Sequence, residues 1–241
     1  MKKIAIITGA STGIGRATAI VFSKADYKVG LVGRNLVGLE ETARLVTEVG
    51  GEPSIFECDL RSAASIYGLS KAIDSRLVLH SVDALVNVAG VWHDEERSFA
   101  NTSLEAQDTA GIVETANVGL VGTVLMCKYM IPLMYNGGSI VNMSCQFDHE
   151  FEGIGWVPYY AVCKAIEAFT LALSAELTTS NICVNCVAPS YVASEAGKRW
   201  FPEETSGEEV LFPEDVAAEI FRLATTENLT SEVRIMKYHE E

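Results

Sequence analysis

The chain has 241 residues, 49% of them hydrophobic, and a formal net charge of −14 at pH 7. This length predicts a single α/β domain over residues 1–241, and no apolar run is long enough to predict a membrane span. The negative charge argues against binding to nucleic acid, so an anionic ligand must be held by local donors.

The six cysteines show no regular spacing, and we find no export signal. This usage is typical of reduced thiols, so we expect a cytoplasmic protein. Cys183 and Cys186 form a C-x-x-C motif, but the surrounding NICVNCVAP predicts a strand, on which this spacing points the two thiols to opposite faces. We therefore interpret this pair as small hydrophobic residues.

Short β-rich runs alternate with longer helical patterns along the chain. The predicted strands are KIAIIT, KVGLVG, PSIFEC, DALVNVAG, SIVNMS, ICVNCVAP and EVRIMKY. Their nearly continuous apolar character is expected when helices cover both faces of a parallel sheet. The sequence therefore predicts a doubly wound parallel sheet, a Rossmann-like three-layer αβα fold.

Two irregular segments, 91–103 and 190–212, follow the ends of predicted strands. Ligand sites of open parallel sheets lie at the carboxyl ends of the strands. We therefore expect both segments to border a binding site, with 190–212 as a substrate lid.

The first predicted strand runs into TGASTGIG, residues 8–15, and then directly into a helix. Gly9, Gly13 and Gly15 permit a tight turn and a close approach of backbone to ligand, and the helix N-terminus offers unpaired N–H groups to a pyrophosphate. A plain strand-to-helix connection is the alternative, but the position after the first strand favours a dinucleotide-binding loop.

Four motifs occur in an order that resembles the short-chain dehydrogenase/reductase family: TGASTGIG, NVAG at 87–90, Tyr160-x-x-x-Lys164 and VAPSYVAS. The resemblance covers nearly the whole chain. It implies an NAD(P)-dependent oxidoreductase that acts on a carbonyl/alcohol pair and assembles as a homodimer or homotetramer.

The same resemblance implies the contacts of a bound dinucleotide. The glycine loop would hold the pyrophosphate, Asp59 and Leu60 would border adenine, and the segment after the sixth strand would contact the nicotinamide. Two positions depart from the family pattern, because Val88 replaces a frequent Asn and Ser190 replaces a Gly. The implied cofactor-binding residues are Gly9, Ser11, Thr12, Gly13, Ile14, Gly15, Arg34, Asp59, Leu60, Asn87, Ala89, Gly90, Tyr160, Lys164, Pro189, Val192 and Ser194.

The end of the second strand, LVGRN, predicts which cofactor is preferred. An NAD-binding enzyme needs a carboxylate there for the ribose hydroxyls, whereas this chain has Gly33 followed by Arg34. A guanidinium pairs well with a 2′-phosphate, so we predict NADP over NAD. An exposed arginine at a helix start is the alternative, and Thr12 stands where many NADP-preferring relatives have a second basic residue.

Tyr160 and Lys164 are four residues apart, which places both side chains on one face of a helix. A nearby ammonium favours a phenolate and lowers the pKa of a tyrosine from its usual value of about 10. We therefore predict Tyr160 as the acid/base for a substrate carbonyl and Lys164 as its electrostatic partner. Tyr159 is less suitable because its partner four residues on is Cys163.

The family places a substrate-orienting serine shortly before this tyrosine, and three residues compete for that role. By motif, Ser144 takes the first place of the usual Ser-Ser pair and Cys145 the second, whereas by distance the position falls on Phe147. A thiol is a weak donor, so we favour Ser144, with Cys145 lining the same pocket. The sequence leaves the choice between Ser144 and Cys145 open.

The family also uses an asparagine in the preceding helix to hold a water that relays protons to the lysine. Asn117 is the available residue, although gap-free matching places Gly119 there. A helical bulge would bring Asn117 into position, so we predict Asn117 for this role.

Aromatic residues flank the inferred site, and Phe147, Trp156, Trp200 and Phe201 suggest an apolar wall around the substrate. His93, Asp148, His149 and Glu150 lie in separate irregular stretches without the paired spacing of metal ligands, so we predict no metal site.

These observations predict an NADP-dependent oxidoreductase for a small carbonyl or alcohol substrate, with no nucleic-acid or membrane partner. The main alternative is a cofactor-binding sensor or interaction protein that has lost turnover, because Cys145 and Gly119 stand at catalytic positions of the family. A third possibility, epimerisation or elimination, is disfavoured by the short chain.

Overall fold

The computed structural model describes residues 2–76, 81–146, 153–205 and 210–237. Within these ranges seven strands form one parallel sheet. The strands are β1 Ile4–Thr8, β2 Lys28–Gly33, β3 Glu52–Glu57, β4 Ala84–Asn87, β5 Gly138–Met143, β6 Ile182–Pro189 and β7 Val233–Met236. Their order across the sheet is β3-β2-β1-β4-β5-β6-β7, which confirms the predicted Rossmann-like fold.

Helices cover both faces of the sheet. In the described residues they are α1 Gly13–Lys24, α2 Leu36–Glu48, α3 Ala63–Arg76, α4 Thr109–Thr115, α5 Thr123–Met130, α6 Val157–Glu176, α7 Glu195–Trp200 and α8 Pro213–Thr225. The segment Ala116–Gly122 between α4 and α5 is a π-helix.

The apolar strands bury side chains on both faces, as their sequence predicts. Ile6 packs with Leu85 and Ile140 on one face, whereas the next residue, Ile7, packs with Val86 on the other. Successive strand residues point to opposite faces, so a strand covered twice must be apolar at every position.

The strand order reverses between β1 and β4, which pair along Thr8 and Asn87 at their carboxyl ends. The loop after β1 therefore faces the loop after β4 across a crevice. Ligands of this fold class bind in that crevice.

The helical region Thr109–Leu133 precedes β5 and is apolar enough to cross a membrane by length and composition alone. Inside the fold 44% of the most apolar 18-residue stretch of this region is buried, and the region packs against α3, α6 and β4. These contacts are those of a helix that covers a sheet.

The predicted lid, 190–212, contains α7 and lies beyond the end of β6. A bridge between Val192 and Leu211 joins its two ends, and the Ala193 N–H donates to the Leu211 carbonyl at 2.8 Å. Residues 206–209 lie outside the described residues, and a lid function stays a prediction.

Candidate active site

The glycine loop brings β1, β4 and α1 within backbone contact. Gly9 has φ +67°, and a Cβ there would lie 3.0 Å from the Ala89 backbone. A Cβ on Gly15 would lie 2.2 Å from the Gly9 carbonyl oxygen. Only glycine fits these two positions, so the loop can turn sharply and leave an open crevice above the helix.

The N-terminus of α1 opens into this crevice. Thr12 is its N-cap residue, but the threonine side chain does not bond the helix N–H groups. The Thr12 hydroxyl instead contacts Glu195 of α7, which also pairs with Arg16 at 2.8 Å. The first N–H groups of α1, with the positive end of its dipole, fit the pyrophosphate of a dinucleotide.

A cleft of about 330 Å³ extends from this loop along the carboxyl edge of the sheet. Eleven predicted cofactor-binding residues line it: Gly9, Ser11, Thr12, Gly13, Ile14, Gly15, Arg34, Leu60, Ala89, Gly90 and Ser194. Its lining and its glycines fit an extended dinucleotide.

Asn87 differs from this group, since it is 2% exposed and lies within the sheet. Its amide donates to Asn142 Oδ1 at 2.9 Å and contacts Cys127 Sγ at 3.4 Å. Asn87 therefore joins β4 to β5 beneath the cleft.

Arg34 reaches the edge of the cleft, but it is engaged. Its Nη1 lies 3.0 Å from Oε1 of Glu114 on α4, and Arg61 reaches the same oxygen at 3.3 Å. Asp59, the predicted adenine neighbour, binds Arg61 at 2.7 Å, and this arginine lowers the pKa of its carboxyl below the usual value. Sequence reasoning missed Glu114 and Arg61, because neither belongs to a motif.

A second cavity of about 180 Å³ adjoins the cleft and shares Gly90, Trp92 and Ser194 with it. Trp156, as predicted, lines this cavity, and its ring centroid lies 5.2 Å from that of Phe201 and 5.7 Å from that of Trp92. The described lining also includes Ser144, Cys145, Pro189 and Val192, and it contains no charged side chain. Phe147 lies outside the described residues.

Ser144 is close to the cavity, but its hydroxyl is already bonded. The side chain is 2% exposed and donates to Glu167 Oε1 at 2.7 Å and to the Cys163 carbonyl at 3.1 Å. Glu167 also binds the Lys164 ammonium at 2.8 Å. The structure therefore joins Ser144 and Lys164 through a carboxylate that sequence reasoning missed, although its i+3 spacing from Lys164 on a helix was available as a signal.

Cys145 and Cys163 form a disulfide, so the prediction of six reduced thiols is wrong. The two residues are separated by 18 positions, and their Cα atoms lie 5.6 Å apart because the end of β5 meets the first turns of α6. This distance suits a disulfide. Cys58, Cys127, Cys183 and Cys186 are free, which agrees with the interpretation of the C-x-x-C pair.

The two adjacent tyrosines of α6 take different positions. Tyr159 lines the aromatic cavity with its ring beside Gly90, and burial raises the pKa of its phenol to about 12. Tyr160 packs against Gly153 and lies outside the described cavity lining, with the Lys164 ammonium 5.6 Å from its ring centroid. The predicted pairing of Tyr160 with Lys164 is present, but the phenol that faces the cavity belongs to Tyr159.

Asn117 lies in the π-helix Ala116–Gly122, so the helical bulge suggested from the sequence is confirmed. Gly119 packs directly on α6, because a Cβ there would lie 2.7 Å from Val162 Cγ1. A side chain at position 119 has no room, which explains the glycine. A relay role for Asn117 stays a prediction.

Among the described residues no three His, Cys, Asp or Glu side chains lie together as metal ligands do. His93 bonds the Asp94 carbonyl at 2.9 Å and packs on Trp92. Asp148, His149 and Glu150 lie outside the described residues.

A family profile described as short chain dehydrogenase matches residues 3–205. The chain belongs to this family of oxidoreductases. Carbonyl reductase family member 4 of Xenopus laevis is 30% identical over 246 aligned positions, which cover 98% of this chain and 97% of the relative. The 3-oxoacyl-acyl-carrier-protein reductase of Homo sapiens is 29% identical over 201 positions, 82% of this chain and 79% of the relative.

Solved structures share the fold over nearly the full length. Levodione reductase superposes with a TM-score of 0.85 at 20% identity, covering 98% of this chain and 96% of that protein. An actinorhodin polyketide ketoreductase with NADPH superposes with a TM-score of 0.84 at 23% identity, covering 98% and 96%.

Proposed function

We propose that this enzyme interconverts a carbonyl and an alcohol on an uncharged small molecule, with NADP(H) as the cofactor. The nicotinamide, when bound, supplies or accepts the hydride. The observation that carries the proposal is the shared wall of the two cavities, where the cofactor cleft and the aromatic cavity meet at Gly90, Trp92 and Ser194. A reacting carbonyl in the aromatic cavity lies next to that wall.

The cavity lining supports an uncharged, apolar substrate. Trp92, Trp156 and Phe201 surround the space, and charged side chains are absent from its described lining. A carboxylate or phosphate group there would lose its hydration without a charged partner among the described lining residues, which costs several kcal/mol by order of magnitude. Substrates with an aromatic or alicyclic body are therefore favoured over charged ones.

Tyr160 is the proposed acid/base, because the Lys164 ammonium lies 5.6 Å from its ring centroid. Tyr159 is the second candidate, since its ring lines the cavity. Burial raises the pKa of the Tyr159 phenol to about 12, so we assign this tyrosine a positioning role at the wall. Ser144 remains the proposed orienting hydroxyl, and Asn117 the proposed relay.

A protein that binds the cofactor without turnover is the second candidate function. Two observations favour it, namely the disulfide that removes the Cys145 thiol and the bond that holds the Ser144 hydroxyl on Glu167. In this alternative NADPH binds, but no carbonyl is reduced.

The test is a screen of ketones and aldehydes with NADPH and NADH, followed at the nicotinamide absorbance, in the presence and absence of reductant. Tyr160→Phe is expected to lower kcat by about 100-fold or more while NADPH binding persists. Tyr159→Phe is the matched control and is expected to change KM more than kcat.

If Tyr159→Phe lowered kcat more than Tyr160→Phe, Tyr159 would be the acid/base. NADPH binding without any turnover in the reduced wild-type protein would support the sensor alternative and contradict the reductase proposal.

We propose a homo-oligomer, supported by exposed apolar side chains such as Val113, Val121 and Leu171 on the outer faces of α4, the π-helix and α6. A cytoplasmic location stays a proposal, which the four free cysteines support and the disulfide does not.

A further inference from the structure

Two arginines share one carboxylate beside the part of the cofactor cleft that Arg34 and Leu60 line. Arg34 follows β2, Arg61 follows β3, and both guanidinium groups bind Oε1 of Glu114, at 3.0 and 3.3 Å. The arginine side chains are each 45% exposed, whereas Glu114 is 24% exposed. Three segments far apart in the sequence therefore converge on one oxygen atom.

Arg61 is held in place from a second side. Its Nε lies 3.0 Å from both carboxylate oxygens of Asp59, and its Nη2 lies 2.7 Å from Oδ2. The described cluster thus contains two cations, Arg34 and Arg61, and two anions, Asp59 and Glu114. Its formal charge is zero, so the positive potential that Arg34 alone would present to an anion is largely cancelled.

Asp59 and Glu114 have different relations to the cleft. Within the described residues Asp59 forms an ion pair with Arg61 alone, whereas Glu114 bridges Arg61 to Arg34, the arginine that lines the cleft. A planar guanidinium binds a carboxylate and a phosphate in the same geometry. A phosphate that approaches Arg34 must therefore compete with the Glu114 carboxylate for the same donors.

We infer that Glu114 competes with the ribose 2′-phosphate of NADP(H) for Arg34 and Arg61, and so lowers the preference for this cofactor. The inference rests on the proposed cofactor function. The phosphate carries more negative charge than the carboxylate and displaces it from the arginines, while Glu114, left beside the phosphate, weakens binding by like-charge repulsion. NADH presents uncharged hydroxyl groups in place of the phosphate, so its binding does not require displacement of Glu114 from the arginines.

The inference assigns a selectivity-determining role to Glu114 that Arg34 alone does not predict. The sequence after β2 lacks the carboxylate of an NAD-binding enzyme, but the fold supplies one from α4. Removal of the Glu114 charge should therefore change the affinity for NADPH and leave the affinity for NADH nearly unchanged.

The experiment measures the affinities of NADPH and NADH by calorimetric titration of the full-length protein. In Glu114→Gln, NADPH is expected to bind about tenfold more tightly, because the competing charge is lost, while NADH changes by less than about twofold. Arg61→Ala is expected to weaken NADPH about tenfold with little effect on NADH. Glu48→Gln, which removes another surface carboxylate paired with an arginine, Arg44, is the matched control and is expected to change neither affinity.

Adenosine 2′,5′-bisphosphate and adenosine 5′-monophosphate provide a second measurement. Glu114→Gln should raise the affinity for the bisphosphate and leave the affinity for the monophosphate unchanged. If the glutamine variant does not fold, Glu114→Ala repeats the test. The inference is overturned if both dinucleotides bind and the ratio of the NADPH affinity to the NADH affinity is the same in Glu114→Gln and Arg61→Ala as in the wild-type protein. That outcome leaves the cofactor proposal standing. Failure of both dinucleotides to bind the wild-type protein overturns the two together.

Discussion

The disulfide between Cys145 and Cys163 offers a quantitative test of how the candidate site is built. It links the loop directly after β5, which carries Ser144, to α6, which carries Tyr159, Tyr160 and Lys164. Reduction, or the double substitution Cys145→Ser with Cys163→Ser, removes this link. Neither change removes the Ser144 hydroxyl or the Glu167 carboxylate, which are hydrogen-bonded to each other.

The expected loss of stability follows from the length of chain that the disulfide closes. A separation of 18 residues restricts the unfolded chain by about 3 kcal/mol at 25 °C on the loop-entropy estimate. In a chain of 241 residues this loss should lower Tm by roughly 6–12 °C.

Thermal unfolding with and without a reductant measures the effect, and thiol titration in denaturant without reductant counts the free cysteines. The oxidised wild-type protein should show four free thiols out of six. Cys183→Ser, at a free cysteine, should keep the sensitivity of Tm to reductant, whereas the double variant should lose it. Six free thiols and a Tm that reductant does not change would refute the reasoning.

Reduction should also affect catalysis under the proposed function. The disulfide leaves Cys145 without its S–H donor and ties α6 to β5, so the reduced enzyme is expected to turn over faster than the oxidised one. Equal rates for both forms would show that neither effect limits the reaction.

Three further predictions follow from the geometry of the two cavities and the outer helices. Gly15→Ala should weaken NADPH binding by about tenfold or more, because its Cβ would lie 2.2 Å from the Gly9 carbonyl oxygen. The control Gly68→Ala, on α3 with open space around it, should leave NADPH binding unchanged and stabilise the helix by up to about 1 kcal/mol. Calorimetric titration measures the binding of both variants, and thermal unfolding measures their stability. Trp156→Ala should raise KM for an aromatic ketone about tenfold with a smaller effect on a short aliphatic ketone, and steady-state kinetics with equal effects on both would contradict an aromatic substrate wall. Light scattering at micromolar protein concentration should show a dimer or tetramer. Leu171 is 46% exposed, and Leu171→Glu should convert this assembly to a monomer. A monomeric wild-type protein would contradict the proposed assembly.

The sequence by itself determined the fold and the position of the glycine loop. Continuous apolar strands such as KIAIIT require a sheet covered on both faces, and Gly9 and Gly15 occupy positions where a side chain would strike backbone. The four-residue spacing of Tyr160 and Lys164 likewise placed the two side chains together on α6. These features are local, because periodicity, turn geometry and spacing within one helix depend on neighbouring residues alone.

The tertiary structure decided which side chains meet across the site. Glu114 approaches Arg34 over 80 positions of sequence, and Glu167 joins Ser144 to Lys164 from within α6. The choice of phenol was also tertiary, since a one-residue step along a helix turns a side chain by about 100°, and only the packing of α6 on β5 sets which phenol faces the cavity.

The disulfide has the same origin. Cys145 and Cys163 belong to no spacing motif, and they meet because β5 ends where α6 begins to cross it. The irregular cysteine spacing and the lack of an export signal predicted reduced thiols, as in a cytosolic protein. Whether two cysteines can form a disulfide depends on the distance between their Cα atoms. That distance is set by the packed fold, and no local sequence pattern contains it.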